Sequence, residues 1–153
     1  MSLRKLINED RLQQHKTNKQ EIQNLFNLVE RDLKDAMIKQ LSTDRKFATA
    51  YNAALQLATI VIHAAGYRVK NGAGHHWVTF LSFPEFMDKS QKIRADYFNA
   101  CRSKRNVTDY DRVGEISETD LRDLLNEVLE FKKDVIQWMR ATNQELTPEK
   151  RMI

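Results

Sequence analysis

The sequence is short of residues that turn or end a chain, with four glycines and two prolines in 153 residues. A sandwich or barrel needs a turn roughly every 8–12 residues, so this supply excludes most all-β architectures. A single cysteine, Cys101, excludes an intramolecular disulfide and a cysteine-rich zinc site. The longest apolar stretch, 53–66, is interrupted by Gln56, Thr59 and His63 and is too short to span a bilayer.

Residues 1–10 contain no apolar run, so we expect a cytoplasmic protein without a signal peptide and without membrane association. The chain is 41% hydrophobic and 30% charged, which is typical of a globular domain. Its net charge is +4, and the segment 88–105 alone, with six basic and two acidic residues, carries the same excess. A solvated helix face is the simplest interpretation of that segment, and it is also compatible with an acidic partner.

Apolar residues recur at spacings of three and four in three segments, which predicts three long amphipathic helices. The apolar stripes cover residues 22–41, 47–65 and 121–139. Capping signals precede them at Thr17, Ser42 and Ser117. The second segment is rich in alanine, and we place it at the centre of a bundle because small side chains let helices approach closely.

Several positions on these stripes are expected to be buried: Leu25, Val29, Tyr51, Leu55, Ala58, Val128 and Phe131. A loop is predicted at 67–76, then a short apolar helix that Pro84 either starts or kinks, then a further helix capped by Asp88 or Ser90. No segment alternates with period two, so no strand is expected. The fold class predicted is therefore all-α, a bundle of three long helices and one or two shorter ones.

Three regions are distinguished along the chain. Residues 1–16 are an N-terminal extension or short helix, 17–142 a single helical-bundle domain, and 143–153 a polar tail. The segment 77–87 is crowded with apolar side chains, more than a thin helix can turn toward one core: Trp77, Val78, Phe80, Leu81, Phe83, Phe86 and Met87. Such a patch usually marks an interface, which favours a homodimer.

The usual chemical motifs are missing: there is no glycine-rich phosphate loop, no zinc-binding helix motif and no nucleophile elbow. His75 and His76 are adjacent, and on a helix adjacent side chains point about 100° apart, which is unsuitable for one shared metal. His63 is interpreted as a satisfied interior histidine, and Cys101 as a small buried thiol rather than a reactive one. We therefore expect neither a metal site nor a cofactor.

A polar cluster lies where the stripe of the fourth predicted helix ends. Arg102 and Arg105 are spaced i, i+3, and Arg105 and Asp109 are spaced i, i+4, so all three face one way on a helix. Asn106 and Tyr110 are likewise i, i+4 neighbours. The cluster is either a surface ion pair of small energetic value or a phosphate-sized anion site.

The block from Tyr97 through Arg102, Arg105-Asn106 and Tyr110, followed by Ser117 and a last amphipathic helix, resembles a HEPN domain. The upstream Ala-Ala-Gly-Tyr-Arg at 64–68 and the Gly/His loop after it are also similar to that family. The resemblance implies an α-helical bundle, often dimeric, of the kind found in prokaryotic defence and toxin–antitoxin systems. Many members are metal-independent ribonucleases with an Arg-x4–6-His signature. Here Tyr110 stands in the place of that histidine.

Three interpretations stay open. The first is a non-catalytic or weakly catalytic module that binds RNA, a nucleotide or a partner protein through Arg102, Arg105, Asn106 and Tyr110. The second is a metal-independent ribonuclease in which Arg105 clamps the phosphate and Tyr110 or Asp109 acts as acid and base. The third is a bundle that only binds protein and whose polar cluster is structural. The resemblance also implies a partner such as a nucleotidyltransferase-like protein.

Overall fold

The computed structural model describes residues 2–110 and 116–148, with the backbone alone at 107–110. The described residues form six helices and two short strands: α1 (Leu3–Asn8), β1 (Leu12–Gln14), α2 (Lys19–Asp35), α3 (Thr43–Ala64), β2 (Tyr67–Val69), α4 (His75–Phe86), α5 (Lys92–Tyr110) and α6 (Glu118–Thr142). One short 3-10 helix lies between α4 and α5 (Lys89–Gln91), and another follows α6 (Gln144–Leu146). The all-α fold class predicted from the sequence is confirmed, and no described helix has the combination of length and apolar character needed to cross a membrane.

Helix α3 lies at the centre of the bundle, as its alanine content predicts. It packs against α2, α4, α5 and α6, and its buried side chains come from several sides of the helix. α3 and α6 run in the same direction. The Thr43 hydroxyl donates to Glu118 Oε1 at the start (2.6 Å), and Asn143 Nδ2 donates to the Ala64 carbonyl at the end (2.8 Å).

The capping signals at Ser42 and Ser117 begin helices as predicted. Ser42 accepts from the Arg45 amide, and Ser117 forms a reciprocal capping box with Asp120. The signal at Thr17 is wrong by one residue, because Asn18 is the residue that accepts from the Glu21 amide.

Helix α2 ends at Asp35, short of the predicted 41. Met37, the stripe position after Leu33, is 56% exposed, so the buried stripe does not continue. The cause is geometric: the chain reverses here so that Ser42 can cap α3. Tight backbone bonds, Met37 N to Lys34 O and Ile38 N to Asp35 O, make that turn.

The burial predictions are confirmed for most positions and wrong for two. Val29, Tyr51, Ala58, Val128 and Phe131 are buried, whereas Leu25 and Leu55 are only partly buried against the core. In a central helix the buried arc is wider than one stripe. Other residues of α3 therefore reach the core: Ala53, Leu57 and Ile60 are fully buried.

A small antiparallel sheet corrects the expectation of no strands and of a loop from residue 67. β1 pairs with β2 in the register Leu12 to Val69, Gln13 to Arg68 and Gln14 to Tyr67. Three-residue strands are too short to show alternation, so periodicity could not reveal them. Gly66, at φ 93°, turns the chain from α3 into β2, a left-handed conformation that favours glycine. This β-ribbon places residues 11–15 beside the C-terminal end of α3.

The described segments outside 17–142 pack onto the bundle. Leu6 and Leu12 of the N-terminal extension are buried in the core, and Thr147 after α6 is buried as well. Residues 149–153 of the predicted polar tail lie outside the described residues.

The many apolar side chains of the segment 77–87 pack against the core of the same chain. Val78, Phe80 and Phe83 are buried, and the other apolar residues of the segment are partly buried against the same core: Trp77, Leu81, Phe86 and Met87. Pro84 lies inside the last turn of α4 and does not start it. The homodimer stays a prediction, and its support is now the resemblance alone.

Candidate functional site

An open cavity of about 320 Å³ lies between the start of α4 and the second half of α5. We call it the α4–α5 pocket. Its described lining residues are Gly72, Gly74, His75, His76, Trp77, Arg102 and Asn106. Two residues of the predicted cluster, Arg102 and Asn106, therefore share one cavity with the histidine pair, which the sequence analysis had considered only as a metal site.

The first turn of α4 forms one wall of the pocket. Its N-cap is Gly74, at φ 78°, which has no side chain to cap the helix. A Cβ added at Gly74 would also approach Arg11 Nη2 to 3.2 Å. The His75 amide donates to the Gly72 carbonyl (3.2 Å), and no side chain caps the helix. The positive end of the helix dipole lies at the pocket, an environment that favours an anion.

His76 is held in place by a buried tyrosine of α3. The Tyr51 hydroxyl and His76 Nδ1 lie 2.9 Å apart. Because Nδ1 is engaged, Nε2 is the imidazole nitrogen left for a ligand, and it has no hydrogen-bond partner among the described residues. Burial lowers the pKa of His76, and the positive charges of Arg105 and Arg102 lower it further, with His75 acting in the same direction. His76 is therefore mainly neutral at pH 7.

Arg105 contacts the same tyrosine. Its guanidinium carbon lies 5.2 Å from the centroid of the Tyr51 ring, a cation–π arrangement. Tyr51 is fully buried, and burial raises the pKa of its hydroxyl, which stays protonated. Arg105 therefore contacts the Tyr51 ring and is not among the lining residues of the pocket, whereas Arg102 is one of them.

Arg102 carries an unsatisfied donor. Its Nε is buried and has no hydrogen-bond partner among the described residues. An unsatisfied buried donor costs free energy. The side chains of Asp109 and Tyr110, the remaining members of the predicted cluster, lie outside the described residues.

Other basic residues of the segment 88–105 are engaged in the fold. Arg94 donates to Glu127 Oε1 (2.7 Å) and to Asp134 Oδ2 (2.8 Å) on α6. Lys104 pairs with Asp120 at 2.7 Å. Both contacts join α5 to α6. Arg94 is only 14% exposed, so it does not belong to a solvated face, whereas Lys104 is exposed and its ion pair is compatible with that interpretation.

Cys101 is buried, as expected from the stripe on which it lies. Burial raises the pKa of its thiol to about 11, so it is not a nucleophile at neutral pH.

A second cavity of about 320 Å³ lies beside the β-ribbon, and we call it the β-ribbon pocket. His15, Glu21 and His63 line it, and it shares His75 with the α4–α5 pocket. His63 Nδ1 is 2.9 Å from Glu21 Oε1, which confirms a satisfied histidine. The sequence analysis missed this group, since its members come from a loop, α2 and α3 and share no spacing pattern.

One sequence feature could have indicated the α4–α5 pocket: His75 and His76 follow Gly74 directly, at the start of a helix. Packing of α4 against α5 then brings His76 to Arg102, a neighbour that no local spacing shows.

Comparison of the chain with family models, with curated proteins and with solved structures found no match.

Proposed function

We propose that the protein binds single-stranded RNA and holds a phosphate group in the α4–α5 pocket. One observation carries the proposal: His76 from α4 and Arg102 and Asn106 from α5 line the same open cavity. A guanidinium and an amide supply hydrogen-bond donors, and Nε2 of His76 supplies a further hydrogen-bonding group.

An aromatic ring beside the cavity favours single-stranded RNA over a small anion. Trp77 lines the pocket and is partly buried, with the Arg11 guanidinium carbon 5.9 Å from its ring centroid. Unpaired bases are commonly recognised by stacking on aromatic and arginine planes. The phosphate site and a stacking surface for the adjacent base therefore occur together.

The HEPN resemblance supports this proposal, because it implies a helical bundle that acts on RNA. With it we propose the remaining features of that family for this chain: assembly as a homodimer, a prokaryotic defence or toxin–antitoxin context, and a nucleotidyltransferase-like partner protein.

The proposal is tested by fluorescence anisotropy of a labelled oligouridine over a range of salt concentrations. Arg102→Ala should weaken binding about tenfold or more, because charged hydrogen bonds contribute about 1.5–3 kcal/mol. It should also reduce the slope of log K against log salt by about 0.7, the value of one phosphate contact on a single strand.

The matched control is Arg140→Ala. Arg140 is exposed on the last turn of α6, and no described residue of α6 lines the pocket. Its loss removes the same charge and should leave affinity nearly unchanged. If both variants lost the same affinity, binding would depend only on the overall charge of the protein, which would contradict the proposed site.

A second function, metal-independent RNA cleavage, is favoured by the position of His76. The sequence assigned the acid–base role to Tyr110 or Asp109, but a described imidazole lies in the pocket beside Arg102. His76 would take the proton of the 2′-hydroxyl, whose oxygen bonds to phosphorus while the 5′-oxygen leaves. His75, whose ring centroid is 5.9 Å from that of His76, would enter the step in its protonated form and donate that proton to the leaving 5′-oxygen.

Cleavage is tested by incubating RNA with the protein in EDTA. The expected products end in a 2′,3′-cyclic phosphate, and both His76→Gln and a 2′-deoxy substitution at the cut site should abolish their formation. Cleavage that survives in His76→Gln would contradict this role, while binding without cleavage would leave RNA binding as the function.

A further inference from the structure

We propose that His15, Glu21 and His63 form a binding site for a transition-metal ion, with zinc as the ion that fits this donor set best. None of these three residues lines the α4–α5 pocket, and the site goes beyond the RNA binding proposed above.

Three ligand atoms converge in the β-ribbon pocket. Glu21 Oε1 lies 2.7 Å from His15 Nε2 and 2.9 Å from His63 Nδ1, and all three atoms lie within 4.8 Å of one another. Zinc bonds of 2.0–2.1 Å in a tetrahedron place ligand atoms about 3.3 Å apart. Admitting the ion therefore needs an outward shift of roughly half an ångström at each contact.

The donor set selects the class of ion. Two imidazole nitrogens and one carboxylate oxygen suit zinc and its first-row neighbours, whereas calcium and magnesium prefer ligands that are all oxygen. Two histidines and a glutamate, with a fourth position open to solvent, form a donor set known from zinc sites. The cavity of about 320 Å³ beside these atoms has room for that fourth ligand.

The ligands are held by the fold. Glu21 lies in the first turn of α2, His63 in the last turn of α3, and His15 in the loop after β1. The His15 amide donates to the Gly66 carbonyl (2.8 Å), which ties this loop to the end of α3. The β-ribbon and the α2–α3 contact thus bring three segments to one point.

An outer partner for the carboxylate is also present. The Thr17 hydroxyl donates to Glu21 Oε1 at 2.7 Å. In metal sites such hydrogen bonds orient the ligand, and their loss typically costs 10–100-fold in affinity. A bound metal would replace the two imidazole contacts of Glu21 Oε1 and keep the contact from Thr17.

The ionisation states of Glu21 and His63 are compatible with binding. Burial opposes the charged form of Glu21, but Thr17, His15 and His63 together hold its pKa below its ordinary value. Burial lowers the pKa of His63, although the Glu21 charge acts against this. A carboxylate and a neutral imidazole are the forms that ligate metals.

Zinc binding to the full chain is measured by competition with a colorimetric chelator, and cobalt is used as a spectroscopic substitute. The expected result is one equivalent of zinc, unaffected by excess magnesium, and a cobalt spectrum of low coordination number. His15→Ala and His63→Ala should each lose more than the 10–100-fold expected for an outer-shell change, and Thr17→Val should fall within that range.

Two further variants keep the test decisive. Glu21→Gln preserves the size of the side chain and its acceptor oxygen, so it should fold and still lose zinc. His75→Gln changes a histidine of the same cavity that is outside the ligand group, and it should bind zinc normally. Helix content by circular dichroism checks each fold.

A wild-type chain that takes up no zinc from excess free ion would overturn the proposal. So would zinc uptake that is unchanged in His15→Ala, His63→Ala and Glu21→Gln. The outcome is independent of RNA binding: Arg102→Ala should bind zinc normally, and His15→Ala should bind RNA with the affinity of the wild-type chain.

Discussion

Tyr51 connects the hydrophobic core to the α4–α5 pocket. Its ring is buried against Phe80, its hydroxyl contacts His76, and the Arg105 guanidinium lies over its face. One side chain thus sets the positions of a histidine from α4 and an arginine from α5.

Tyr51→Phe removes only the hydroxyl and leaves Nδ1 of His76 without this partner. We expect a loss of about 1 kcal/mol in the free energy of unfolding, the usual value of one such hydrogen bond. Urea denaturation provides the measurement, and Tyr67→Phe is the control because the Tyr67 hydroxyl makes no hydrogen bond to any described residue. Equal stabilities of the two variants would show that the contact with His76 contributes nothing.

The lowered pKa of His76 predicts how the proposed RNA binding depends on pH. Burial disfavours the imidazolium, so His76 is neutral at pH 7 and gains its proton only below the ordinary imidazole pKa of about 6.5. The groups facing it are Tyr51 from α3, Arg102 and Arg105 from α5, and His75 from its own helix. Protonation adds positive charge beside the bound phosphate, so affinity should rise as pH falls through this range.

The measurement is an oligouridine titration at constant salt over the acidic range. His75 has its pKa lowered by burial too, so the double variant His75→Gln, His76→Gln is the control. That variant should show little pH dependence. An affinity of the wild-type chain that stays flat, or falls on acidification, would contradict the placement of the imidazoles at the phosphate.

At the scale of elements, the packing around the central helix α3 buries two nearby leucines to different extents. Leu57 is fully buried, whereas Leu55, on the same helix, is only partly buried. Leu57→Ala should cost about 2–5 kcal/mol, the usual range for a core leucine. Leu55→Ala should cost clearly less, since part of its surface already contacts water. Chemical denaturation of each variant measures the loss in the free energy of unfolding, and a larger loss for Leu55→Ala would contradict the packing of α3.

The helices could be predicted from sequence because their determinants are local. Ser42 and Ser117 cap their own helices, and apolar spacing marks α3 and α6. The end of α2 and the β-ribbon could not be predicted in this way. The first depends on where the chain must reverse, and the second on two three-residue segments that are far apart in sequence.

In the candidate site, too, local spacing predicts some contacts and only the packing of helices explains the others. Arg102 and Asn106 are one turn apart on α5, and that proximity is visible in their spacing. The position of His76 beside them depends on the packing of α4 on α5. The same holds for His15 and His63, which the β-ribbon and the α2–α3 contact bring together.

Across the whole molecule, the four histidines of the chain line two cavities that meet at one residue. His15 and His63 line the β-ribbon pocket, His76 lines the α4–α5 pocket, and His75 borders both. The proposed phosphate site and the proposed metal site are therefore adjacent, and α4 with the loop before it forms part of both.

The central claim is that RNA phosphate is held at His76 and Arg102. It is tested most directly by imidazole NMR of the chain labelled at histidine, with signals assigned from single His→Gln variants and followed during titration with oligouridine. We predict that the His76 signals move, that those of His15 and His63 move far less, and that bound RNA raises the pKa of His76 because the phosphate charge favours the imidazolium. A His76 signal that keeps its position and its pKa at saturating RNA would contradict the account.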